Sequence, residues 1–72
     1  ANLYLGALFG KMGNYDQAIA ILTRLTEQRP RSVLGHFFLG RVQVAAGNVP
    51  AAITSYERAV ELRPESEQIL IN

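Results

Sequence analysis

LGALFGKMGN, residues 5–14, holds three glycines, with a lysine after the second. Three physical readings compete for it: a loop that cradles phosphate, a helix face that another helix approaches closely, and the end of a helix. A phosphate loop needs four residues between its first glycine and a Gly-Lys pair, then Ser or Thr, so that amides and lysine surround the phosphates. Here three residues separate Gly6 from Gly10, and Met12 follows Lys11. The Gly6-to-Gly10 spacing also packs membrane helices, but only inside an apolar run of about 20 residues. No such run surrounds it. The stretch therefore reads as a helix whose glycines serve packing and termination. Gly6 lets a partner helix approach, and Gly13 closes the helix. Gly10 costs about 1 kcal/mol of helix propensity against alanine, so either something packs tightly over it or the helix is locally soft.

The same stretch recurs. Shifted by 34 residues, LGALFGKMGN falls on LGRVQVAAGN, residues 39–48. Eleven of the 38 overlapping positions are identical: Leu5/Leu39, Gly6/Gly40, Gly13/Gly47, Asn14/Asn48, Ala18/Ala52, Ile19/Ile53, Arg24/Arg58, Glu27/Glu61, Arg29/Arg63, Pro30/Pro64 and Ser32/Ser66. A fixed period of this length is the signature of stacked supersecondary units.

Each unit reads as two helices. The first spans about 1–12, with Leu5, Leu8, Phe9 and Met12 at helical spacing. Gly13-Asn14 breaks it, because glycine accepts the left-handed conformation that closes a helix and asparagine tolerates it. Asp16 opens the second helix near its positive end. Ala18, Ile19, Leu22, Leu25 and Thr26 line one face of that helix. Pro30 ends it, since the residue before a proline is pushed out of the helical region. In the second unit Ser32 caps a helix over about 33–46, Gly47-Asn48 stops it, and Pro50 occupies the first turn of a helix over about 50–62. Pro64 follows, and Ser66 caps a third start.

These residues resemble the tetratricopeptide repeat family. The features shared with its 34-residue helix–turn–helix pattern are Leu5-Gly6, Gly13, Ala18-Ile19 and Pro30, then Leu39-Gly40, Gly47, Ala52-Ile53 and Pro64. Phe9, Tyr15, Tyr56 and Ala59 fall on further aromatic or small positions of the pattern. The departures are Asn2 and His36 in place of an early aromatic, Leu25 in place of a late small residue, and Val49 in place of a turn aromatic. The resemblance implies an all-α fold: helix–turn–helix units stacked as a short right-handed α-solenoid of about four helices plus a partial fifth. Residues 1–72 form a single domain, with repeat 1 at about 1–32, repeat 2 at about 33–66 and the start of a further helix at 67–72.

Composition bounds what such a module does. The chain has 72 residues and no cysteine. A globule of this size buries roughly 60% of its unfolded surface, which is marginal, and no disulfide supports it. The cysteine-free chain is compatible with a soluble cytoplasmic protein, and an exported one is not excluded. Residues 1–34 carry two more cations than anions, and 35–72 one fewer, for a net charge of +1. That is too little to imply nucleic acid or an acidic membrane as partner. No segment approaches the roughly 18 apolar residues of a membrane helix. The chain opens on Ala1 without a basic-then-apolar leader, so it reads as a piece of something longer.

No catalytic, metal or cofactor site is expected. Metal and acid–base chemistry needs clusters of His, Cys, Asp or Glu. His36 is the sole histidine, and it lies at a packing position. Glu57 and Glu61 follow an exposed face with Arg58 and Arg63 nearby. Ser32 and Ser66 read as caps; Tyr4, Tyr15 and Tyr56 read as packing residues.

In stacked helical repeats the first helices line a concave groove. The resemblance maps its lining onto Leu3, Ala7, Gly10 and Lys11, then Leu34, Phe37, Arg41, Val44 and Ala45, then Gln68 and Ile71. Lys11 and Arg41 are the only charges in this set. Some family members hold a chaperone's C-terminal carboxylate at positions that fall here on Leu3, Ala7, Phe38, Gln68 and Asn72. None of these is basic, which argues against such capture. The implied function is a protein-interaction scaffold that takes a peptide or helix of a protein partner in an apolar groove, with Phe37 as anchor and Arg41 as orienting charge. The competing reading is a structural spacer or regulatory segment of a larger protein. Two full repeats leave apolar ends, so self-association through those ends is a further expectation.

Overall fold

The computed structural model describes residues 3–62. They form four helices: α1 (Leu3–Lys11), α2 (Tyr15–Gln28), α3 (Val33–Ala45) and α4 (Val49–Leu62). There is no strand among the described residues. The expected partial fifth helix falls outside them.

The helix ends follow from local chemistry. Gly13 and Gly47 each adopt φ +87°, where a Cβ would strain the backbone. Around Gly13, the Asn14 amide donates to Phe9 O at 2.9 Å and the Gly13 amide to Gly10 O at 3.2 Å. Around Gly47, the Asn48 amide donates to Gln43 O at 2.8 Å and the Gly47 amide to Val44 O at 2.9 Å. Both are Schellman closures, which satisfy carbonyls the helix leaves open. The asparagines do not share the left-handed conformation. Asn14 has φ −86° and stands at the N-cap of α2, so α2 opens one residue before Asp16, which lies in its first turn. Asn48 caps α4, its Oδ1 accepting from the Ala51 amide at 3.4 Å. Ser32 Oγ accepts from the Gly35 amide at 3.1 Å and caps α3. Arg29, ahead of Pro30, leaves the helical region at φ −132° and ends α2.

Packing is sequential. α1 rests on α2, α2 on α3 and α3 on α4, and α1 also touches α3. Ala18, Leu22 and Leu25 of α2 meet Leu39 and Val42 of α3 in the buried core, with Leu3, Phe9, Tyr15, Ile19 and Phe38 packed around it. Leu22 has no exposed surface. α1 contributes less than its apolar spacing suggests. Gly6 is its buried residue, whereas Leu5, Leu8 and Met12 are exposed. Leu39 and Val42, the counterparts of Leu5 and Leu8 one period later, are buried. The difference lies in the neighbours: α3 has α2 before it, and α1 has no helix before it among the described residues.

Candidate functional site: a groove between the first helices

The α1–α3 contact leaves an open groove of about 420 Å³. Tyr4, Ala7, Leu8 and Lys11 line it from α1, and Phe38, Arg41, Val42 and Ala45 from α3, with Gly10 between them. The two sets are the same four positions one period apart. A helix brings residues three and four apart onto one face, so equivalent stripes of both first helices face a common space.

Gly10 sets how close the walls come. A Cβ there would lie 2.8 Å from Val42 Cγ2, too near for any real side chain. Something does pack tightly over Gly10, and it is Val42. On the α3 wall the Arg41 guanidinium sits over the Phe38 ring, 5.8 Å from its centroid, within the range of a cation–π contact. Phe38 stacks edge-on against Phe37 at 5.8 Å, and Phe37 lies 5.7 Å from Tyr56 of α4. The groove wall is thus tied through three rings to the second unit's second helix.

The structure brings Ala7, Gly10, Lys11, Arg41 and Ala45 of the expected set together in this groove. It places the others elsewhere. Leu3 packs against the core. Phe37 is half-buried and turned toward Tyr56. Leu34 and Val44 are exposed outside the groove. Gln68 and Ile71 fall outside the described residues. The expected lining left out Tyr4, Leu8 and Val42, and Phe38 stood only among the positions of chaperone-tail capture. The available signal was the 34-residue period: each is a partner of another at that offset.

The remaining polar residues have local partners. His36 Nε2 lies 2.9 Å from Pro30 O, a hydrogen bond when that nitrogen carries the proton. Arg58 Nη1 lies 3.5 Å from Glu61 Oε1, with both side chains more than half exposed, a geometry that contributes little stability. Ser55 Oγ donates to Gln43 Oε1 at 2.7 Å. No group of three His, Cys, Asp or Glu side chains is placed to hold a metal among the described residues. No helix there is long and apolar enough to cross a membrane.

A chain of helical hairpins at a 34-residue period, joined by glycine closures and offering a groove between first helices, is an α-helical repeat protein. The family model for the tetratricopeptide repeat matches residues 4–67, and the chain belongs to that family. Repeats of this family generally mediate protein–protein interaction and are typically non-catalytic. No solved structure matches the chain.

Proposed function

We propose that this chain is a protein-interaction module that holds a peptide segment or helix of a partner protein in the α1–α3 groove. One observation carries the reading: four equivalent positions of both first helices converge on one open groove lined by apolar side chains and two cations. The apolar side chains of Leu8 and Phe38 supply contact area, and Lys11 and Arg41 supply orientation.

The test is capture of partners from a lysate of the chain's own source. Arg41→Glu/Ala45→Glu runs alongside, because both residues are exposed and their replacement leaves the core alone. The expected result is a protein retained by the wild type and lost from the variant. A second reading, a structural spacer within a larger protein, is favoured by the exposed Leu5, Ile53 and Val60 on the outer faces of α1 and α4, the first and last of the described helices. It predicts that the variant captures the same set as the wild type.

A further inference from the structure

We infer that a second docking site lies in the cleft between α2 and α4, and that it takes the guanidinium of an arginine side chain on a partner protein. This cleft shares no residue with the groove between the first helices. α2 and α4 each pack on α3 without a close backbone approach to one another. Between them opens a space of about 450 Å³. His36 and Leu39 line it from α3, Thr26 lines it from α2, and α4 supplies the remaining wall.

What this lining offers a ligand follows from where its protons already go. Thr26 Oγ1 donates to Thr23 O at 2.8 Å, Thr54 Oγ1 to Pro50 O at 3.4 Å and Ser55 Oγ to Gln43 Oε1 at 2.7 Å. A hydroxyl has one proton and two lone pairs, so these three are left as acceptors. His36 Nε2 lies 2.9 Å from Pro30 O. A carbonyl only accepts, so the proton of that bond sits on Nε2, and in the neutral ring Nδ1 accepts. Glu57 and Glu61 add two carboxylates. Arg58 is the one lining side chain with protons to spare. Its Nη1 lies 3.5 Å from Glu61 Oε1, while Glu57 has no partner among the described residues. The cleft is thus a set of acceptors with one carboxylate in excess. A guanidinium carries its donors in a plane and directs them along several edges. One edge can take a carboxylate while another meets the hydroxyl or imidazole acceptors of the neighbouring helices. An ammonium gathers three donors on a single nitrogen.

The 72-residue chain, isotopically labelled, is titrated with the capped tripeptide Gly-Arg-Gly and followed by NMR. The same peptide with lysine or citrulline at its centre runs beside it, citrulline being the neutral isostere of arginine. The expected result is a saturating shift of the His36, Thr26 and Thr54 signals with the arginine peptide, weaker with lysine and absent with citrulline. Glu57→Gln/Glu61→Gln, at two exposed positions, weakens binding about tenfold or more. Arg58→Gln tightens it by removing a like charge. Each variant is checked for unchanged melting. Shifts that do not saturate, that citrulline reproduces, or that survive the paired glutamine change overturn the inference. So do shifts centred on Ala7, Arg41 and Ala45, which put the peptide in the groove instead. A lysine peptide that binds equally well overturns the choice of guanidinium.

Discussion

Gly6 and Gly40 are each met by the helix that follows. A Cβ at Gly6 would lie 2.7 Å from Leu22 Cγ and Cδ2, and one at Gly40 would lie 3.0 Å from two carbons of the Tyr56 ring. Leu22 and Tyr56 are themselves one period apart. Gly40→Leu is therefore expected to overpack the α3–α4 pair and cost about 1–3 kcal/mol, read as a lower thermal midpoint; an unchanged midpoint would refute the packing role. Gly13 poses the opposite case. Nothing lies within 4 Å of its Cβ position, yet its φ is +87°. Space is available and conformation is not. Gly13→Ala is expected to cost about 1–2 kcal/mol, whereas D-alanine at the same position, introduced by chemical synthesis, restores or exceeds wild-type stability. Equal losses from both enantiomers would point to a steric cause instead.

Between α3 and α4 the two units diverge. The buried Ser55 hydroxyl bonds Gln43, whereas the equivalent positions of the first unit hold Ile21 and Phe9. A polar pair thus stands where the first unit is apolar. Such a pair contributes modestly when satisfied and costs about 1–3 kcal/mol when one partner is left alone. Gln43→Phe and Ser55→Ile are each expected to destabilise, while the double variant recovers much of the loss. Chemical denaturation of the four proteins reads the coupling. Additive losses would show that the hydrogen bond does not link the helices energetically.

For the whole molecule, the α2–α3 interface is a template for both ends. The α4 face carrying Ile53 and Val60 repeats the α2 face of Ile19 and Thr26, where Ile19 packs against the core and Thr26 lies against Gly35 of α3. The α1 face carrying Leu5 and Leu8 repeats the α3 face of Leu39 and Val42. Ile53, Val60, Leu5 and Leu8 are each at least 40% exposed, so the outer faces of α1 and α4, the first and last of the described helices, repeat the two halves of the α2–α3 interface. Head-to-tail association of the 72-residue chain is expected, rising with concentration. Sedimentation equilibrium of Leu8→Lys/Val60→Lys should return a monomer. If the wild type is monomeric at high concentration, the ends do not complement one another in this way. Association of this kind is heterologous and leaves open ends, so it extends the stack, and it covers Leu8, which also lines the groove.

Read alone, the sequence determined the period, the helical hairpins and the points where helices stop. Glycine, asparagine, serine and proline act there through their own backbone and near neighbours, which is chemistry of a few residues. The resemblance to the family pattern, not the spacing alone, pointed to Ala7, Lys11 and Arg41, which line the groove between α1 and α3. Tertiary structure decided the rest. One residue along a helix turns the side chain by about 100°, and only the positions of α1, α2 and α4 around α3 settle that Phe38 lines the groove while Phe37 meets Tyr56. Spacing marked Leu5, Leu8 and Met12 as one stripe and Gly10 as an oddity. Whether a stripe is buried depends on whether another helix covers it, and whether a glycine is needed depends on what approaches it. Both are properties of neighbours distant in the chain, such as Val42 above Gly10.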